Sequence, residues 1–205
     1  MAMKLDDAEV TADEALARLM AGNDRFLRGD VRNAVPSRQT LTDLAHGQKP
    51  FATILGCSDS RVPPEWIFDA GLGELFVVRV AGNVLSPEVA GSFQYAGVHL
   101  QTPLFVVLGH EGCGAIKAAL TTKLDGTQHH SRIQILVNSI LPGLAKVDMQ
   151  LSDKDRLACA VEGNVRWTVQ QILDSPEGKA RQAEGRMKIV GAVYEIETGR
   201  VRLLS

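Results

Sequence analysis

Three short runs, residues 51–56, 75–80 and 104–108, are apolar on both alternations and rich in β-branched and aromatic side chains. A strand with no polar face is covered by protein on both sides, as inside a parallel sheet. The stretches between and after them, 87–100 and 115–120, have helical character. Helix and strand thus alternate through the middle of the chain, which predicts an α/β fold around a mainly parallel sheet flanked by helices. Upstream, Thr11 can cap a helix in which Leu16, Leu19, Met20 and Phe26 recur at helical spacing. This amphipathic arm, 11–27, can bury its face on its own domain or on a second subunit. A polar loop and a short helix, 38–46, follow. Downstream, 131–141 reads as a helix ended by Pro142-Gly143, and Ser152 opens a longer one, to about Leu173, with Asp153 and Asp155 in its first turn. Residues 187–196 and 200–204 read as two strands about the turn Thr198-Gly199, a pair able to extend the sheet at an edge.

No low-complexity or Pro/Gly-rich linker divides the 205 residues, so one domain is expected over 1–205. Within it, 1–30 forms the helical arm, 48–120 the metal-binding core and 185–205 the closing strand pair. Net charge is -2 and the basic residues look scattered, which argues against nucleic acid as a partner. The acidic start and the strand-sized apolar runs make secretion and membrane spanning unexpected. Three cysteines are too few and odd for a disulfide framework; they suit a reducing cytoplasm.

Chemistry concentrates where the strands end. Cys57 follows the first run, and His110 and Cys113 follow the third, within a glycine-rich turn that opens a helix. In open α/β sheets sites gather beyond the carboxyl ends of the strands, so residues distant in sequence can meet there. Thiolate and imidazole donors favour zinc over magnesium or calcium. Three ligands leave a position for water, the mark of a catalytic rather than a structural zinc. The competing readings are inert buried cysteines or a redox pair, although no C-x-x-C is present. Cys159 lies in an apolar helical run without a ligand partner and is expected in the core. His46, His99, His129 and His130 are read as surface or packing residues, with His129 or His130 available for proton exchange if their loop covers the pocket.

Asp59 and Arg61 sit two apart in the turn after Cys57, a spacing that permits a charge-assisted pair. Such a pair would fix an ionised acceptor beside the metal, able to orient a nucleophile or to occupy the open position itself.

At these residues the chain resembles the β-class carbonic anhydrases. The likeness runs through Cys57-Ser-Asp-Ser-Arg-Val-Pro63, Gly73-Glu-Leu-Phe-Val-Val-Arg-Val-Ala-Gly-Asn83, Gly91-Ser-Phe-Gln-Tyr-Ala96 and Val107-Leu-Gly-His-Glu-Gly-Cys-Gly-Ala115, and on through 156–173 and 191–199. The resemblance implies one Zn2+ per chain on Cys57, His110 and Cys113, with Asp59 and Arg61 as the catalytic dyad. It also implies a homodimer or dimer of dimers, with N-terminal helices wrapping the partner and pockets at the subunit boundary. Gln48, Phe76 and Tyr95 would line the pocket, as in plant-type members, Gln48 as a donor to a CO2 or bicarbonate oxygen; Ala81 and Gly114 are placed there too. Two positions depart from the family: Gln94 replaces a common Glu, and Ile54 stands where bicarbonate-regulated members carry Trp. A Trp–Arg–Tyr bicarbonate pocket is therefore incomplete despite Arg79, and a standing open zinc is expected.

The implied activity is reversible hydration of CO2 to bicarbonate and a proton by zinc-bound hydroxide, made somewhat less acidic by two thiolates. The alternatives are a CS2/COS hydrolase of the same family, a non-catalytic domain stapled by four-ligand zinc, and a thiol-redox protein.

Overall fold

The structure, a computed structural model, describes residues 10–32, 36–185 and 187–205. The first nine positions of the expected arm, positions 33–35 of the polar loop and position 186 lie outside the described residues.

The chain builds one five-stranded sheet from β1 (Ala52–Gly56), β2 (Leu75–Arg79), β3 (Leu104–His110), β4 (Lys188–Tyr194) and β5 (Val201–Leu204), in the order β2-β1-β3-β4-β5. The first four strands are parallel and β5 is antiparallel to β4, so the closing pair does extend the sheet at its edge. Every residue of β1 and β3 is buried, as their unbroken apolar pattern requires. Around the sheet stand α1 (Ala12–Arg28), α2 (Arg38–Leu44), α3 (Pro64–Ile67), α4 (Pro87–Val98), α5 (Gly114–Asp125), α6 (Arg132–Ile140), α7 (Asp153–Asp174) and α8 (Pro176–Ala183).

Helix α1 begins where the sequence places it. Thr11 Oγ1 accepts from the Glu14 amide while Glu14 Oε2 accepts from the Thr11 amide at 2.8 Å, a capping box that satisfies two donors the helix would otherwise leave open. Its buried stripe, Ala15, Leu19, Gly22 and Asn23, packs on its own chain. Asn23 donates to the carbonyls of Ile67 (3.1 Å) and Gly199 (2.9 Å) and accepts from the Val201 amide (2.9 Å), which pins the arm to α3 and to the β4–β5 turn.

Two expectations need correction. The third strand does not stop at Leu108 but continues to His110, because Gly109 and His110 stay in register with Val193 and Tyr194 of β4; glycine suits the position because a Cβ there would lie 2.6 Å from Val165 Cγ2 of α7. Glycine reads as a breaker in sequence; here it is a contact. The α-helix over 132–140 does end just before Pro142-Gly143, where a 3-10 turn, Leu141–Leu144, follows and buries Leu144. Cys159, expected in the core, is exposed on α7, while its neighbours Ala160 and Val161 take the buried stripe.

Candidate metal centre

The parallel register sets the ends of β1 and β3 side by side, with Gly56 opposite Leu108. Cys57 leaves β1 and His110 closes β3, and both arrive at the same carboxyl edge. Cys113 is the N-cap of α5. Ligand atoms of Cys57, His110 and Cys113 lie within 4.8 Å of one another, and all three residues are buried.

The geometry fits a zinc ion. The two Sγ atoms are 4.0 Å apart, against about 3.8 Å for two sulfurs at 2.3 Å from a tetrahedral centre, and about twice the length of a disulfide bond. His110 Nδ1 lies 2.9 Å from the carbonyl oxygen of Glu111, to which it donates in the tautomer that leaves Nε2 with a free lone pair. That Nε2 is buried without a hydrogen-bond partner among the described residues. Leaving such an atom unpaired costs about 1–3 kcal/mol, and a cation between the sulfurs and the imidazole removes the cost.

One of the two thiols is prepared for deprotonation. Hydrogen bonding with Cys113 pulls the Cys57 thiol down to about 4, against the opposing effect of burial, and the same pairing pushes Cys113 well above its ordinary range. One proton is thus held between two sulfurs. A divalent ion held there would take its place, and the N-terminus of α5 and the Gly82 amide, 3.4 Å from Cys57 Sγ, favour the anionic form.

Asp59 and Arg61 form the expected pair. Arg61 Nε and NH2 donate to Asp59 Oδ1 (2.9 Å) and Oδ2 (2.7 Å), and the Arg61 amide adds 3.0 Å to Oδ1. The Arg61 hydrogen bonds hold the Asp59 carboxyl far below the usual carboxylate range. Asp59 Oδ2 stands 4.0 Å from His110 Nε2, beside the ligand trio, with both oxygens engaged by the guanidinium. The protein therefore presents three ligand groups and one adjacent acceptor.

Two supports escaped the sequence reading. Arg79, considered there only for an incomplete bicarbonate pocket, donates from Nε to the Cys57 carbonyl (2.9 Å) and from NH2 to the Asp59 carbonyl (2.5 Å), buckling the loop that carries both residues. Gly82 follows Ala81 in a 3-10 turn, Ala81–Asn83, with φ 70°. Its carbonyl accepts from Asn164 Nδ2 of α7 at 2.8 Å, and a Cβ would meet Ile140 at 2.9 Å. Glycine is required on both counts.

The pocket residues divide. Ala81 is half-buried beside Gly82, and Gly114 is exposed at the first turn of α5, both near the trio. Gln48 precedes β1 and is exposed; Phe76 lies near the start of β2, in register with Thr53. Four residues separate Thr53 from Cys57, about 13 Å along a strand. Tyr95 on α4 packs 6.0 Å from Phe76, centroid to centroid, and His99 stacks 4.9 Å from Tyr95 in turn. The aromatic group thus sits toward the amino end of the sheet, away from this chain's own ligand trio. His129 Nε2 lies 3.3 Å from the Ala118 carbonyl, against α5.

A Cys-His-Cys trio at the carboxyl edge of a parallel sheet, with a guanidinium-locked aspartate beside it, is a donor set that could hold a metal ion in an α/β enzyme. The sequence signature of the carbonic anhydrases matches residues 52–201. The chain is 40% identical over 189 residues to carbonic anhydrase 2 of Mycobacterium tuberculosis, covering 90% of this chain and 89% of that one. It is 36% identical over 195 residues to the carbonic anhydrase of Pseudomonas aeruginosa (88% and 85% covered). Among solved structures it is similar to a tetrameric β-carbonic anhydrase of Sordaria macrospora, at 26% identity and TM-score 0.74 over 80% of this chain and 85% of that one. It is likewise similar to the Coccomyxa β-carbonic anhydrase in complex with acetazolamide, at 31% identity and TM-score 0.72 over 80% and 75%. The chain belongs to the β-class carbonic anhydrases.

Proposed function

We propose that the chain hydrates carbon dioxide reversibly to bicarbonate and a proton, with one zinc ion held by Cys57 Sγ, His110 Nε2 and Cys113 Sγ. The observation that carries this reading is the buried, unpartnered Nε2 of His110 facing two sulfurs 4.0 Å apart. Bound there, zinc supplies a Lewis acid that lowers the pKa of water from about 15.7 toward about 7.

The chain's own groups do the remainder. Asp59, kept ionised by Arg61, accepts a proton-bearing hydrogen bond from the attacking water and turns its lone pair toward the carbon. Arg61 stops that carboxylate from becoming a fourth ligand. Arg79 holds both carbonyls of the loop, so acceptor and thiolate keep a fixed spacing. Positioning of this kind is where much of the barrier is removed.

Gln48, Phe76 and Tyr95 serve the site of a second copy. Their place toward the other end of the sheet supports this, as does the exposure of Tyr95, Val98 and Trp66, apolar surface suited to burial between chains. The smallest working unit is then a dimer, with a narrow aromatic wall and a Gln48 donor to a substrate oxygen supplied across the boundary; dimers of dimers extend the same scheme. With Ile54 in β1 and the Asp59–Arg61 pair intact, the pocket is of the open, plant-like kind. No helix among the described residues is long and apolar enough to cross a membrane, and the three free cysteines suit a reducing cytoplasm.

Metal analysis paired with stopped-flow CO2 hydration tests the proposal. One zinc per chain with rapid hydration supports it; fast hydration by a metal-free sample ends it.

A further inference from the structure

Arg18, Arg25 and Arg32 fall seven residues apart, the first two on one face of α1. The helix ends at Gly29, and the chain turns back so that the Arg32 amide donates to Asp69 Oδ1 at 2.9 Å. The basic residues that look scattered in sequence are therefore gathered. All three arginines line a single cavity of about 230 Å³ together with Phe51, Asp69 and Glu74.

The carboxylates in that wall are already engaged. Glu74 accepts from Arg18 through Oε1 and from the Gly71 amide through Oε2 at 2.7 Å. Asp69 accepts from Arg25 Nε through Oδ2 at 2.5 Å and from the Arg32 amide through Oδ1. A guanidinium carries five N–H donors. Arg18 commits one of these to Glu74, and Arg25 commits two to the side chain and carbonyl of Asp69. The Arg32 guanidinium has no acceptor among the described residues, and Arg18 is held face-on over the Phe51 ring, 4.2 Å from its centroid. Three guanidiniums against two carboxylates leave one positive charge in excess and several donors converging on one space.

We propose that this cavity is an oxyanion site for a phosphate group, free or carried by a small monoester. It lies beyond the amino ends of β1 and β2, whereas Cys57 follows the carboxyl end of β1. A tetrahedral dianion presents acceptors in several directions at once and carries two negative charges, which suits three converging forks better than a flat monoanion does.

Calorimetric titration of the zinc-loaded protein at fixed ionic strength tests this, with inorganic phosphate, glycerol phosphate, bicarbonate and chloride as probes. Saturable phosphate binding that weakens about tenfold or more in Arg32→Gln, with CO2 hydration and Tm of that variant unchanged, supports the site. Arg18→Gln should weaken it as well. Tighter binding of glycerol phosphate than of phosphate identifies a monoester as the ligand; the reverse identifies free phosphate. No saturable phosphate binding, binding undiminished in Arg32→Gln, or preference for bicarbonate overturns the proposal. Undiminished binding would place the anion at the zinc or on the general surface.

Discussion

Arg79 NH2 donates to the backbone carbonyl of Asp59 at 2.5 Å, while its Nε reaches the carbonyl of Cys57. One side chain from β2 thus sets the distance between a thiolate and the carboxylate that works beside it. Arg79→Gln removes both bonds without adding a charge of opposite sign. Loss of an outer support of this kind costs about 10–100-fold in activity or metal affinity. Stopped-flow hydration combined with chelator competition for zinc measures both; unchanged values would show that the loop holds its shape unaided.

Replacing Cys57, His110 or Cys113 by Ala should release zinc and abolish hydration, since each removes one of three ligands. Metal content after dialysis, read beside activity, checks this residue by residue.

Asp59→Asn keeps the shape of the turn and removes the charge. Zinc should stay stoichiometric while kcat/KM falls by about a hundredfold or more at neutral pH, the range of a lost proton-handling group. Because Arg61 holds the carboxyl far below its ordinary range, Asp59 should contribute no inflection to the rate profile between pH 5 and 9. A wild-type turnover in the variant would remove Asp59 from the mechanism.

The proposed sharing of a pocket between chains would allow complementation. Cys57→Ala lacks the metal and Gln48→Ala lacks the donor, yet a mixed dimer pairs the intact metal centre of one chain with the intact Gln48 of the other. Co-expressed variants should therefore exceed the sum of the two separate activities. Mere additivity would return Gln48 to its own chain's site or to none.

Glu162 on α7 joins Arg166 of the same helix and Arg202 of β5. Burial raises its pKa, but the hydrogen bonds from the two arginines more than offset that, and the folded value is lowered. A lowered carboxyl stabilises the fold fully above the unfolded value of about 4.3, and that contribution is lost as pH falls through the folded value. Glu162→Gln should lower Tm slightly at pH 7, in keeping with about 0–1 kcal/mol for an exposed pair. The gap should close as the pH drops below about 4.

Much of this was legible from residue pattern. The strands announced themselves because apolar runs covered on both faces have few other uses, and Thr11 with Glu14 marked a helix start by the chemistry of two side chains alone. Cys57, His110 and Cys113 could be grouped because strand ends in a parallel sheet converge. What escaped was set by approach distances that no periodicity encodes. Gly109 looked like a turn because nothing in the sequence reveals Val165 pressing against it. Cys159 looked like core because an apolar triplet does not say which of its members a helix turns inward. Helices α3 and α8 are short and begin at prolines, with little periodicity to read. Arg79 acts through two backbone carbonyls, and the three arginines of the cavity meet through carboxylates and a chain reversal, relations visible only in three dimensions.

His110 is not carried by a loop. Its backbone pairs with Tyr194 at the carboxyl end of β3, the central strand, and the next amide, that of Glu111, donates to the Tyr194 carbonyl at 3.0 Å. Fraying at a terminus or a surface segment would not swing the imidazole away, so backbone movement of this ligand from a bound cation would require opening of the β3–β4 ladder. Slow metal exchange, tracking global unfolding rather than local breathing, is the kinetic signature such an anchorage should leave.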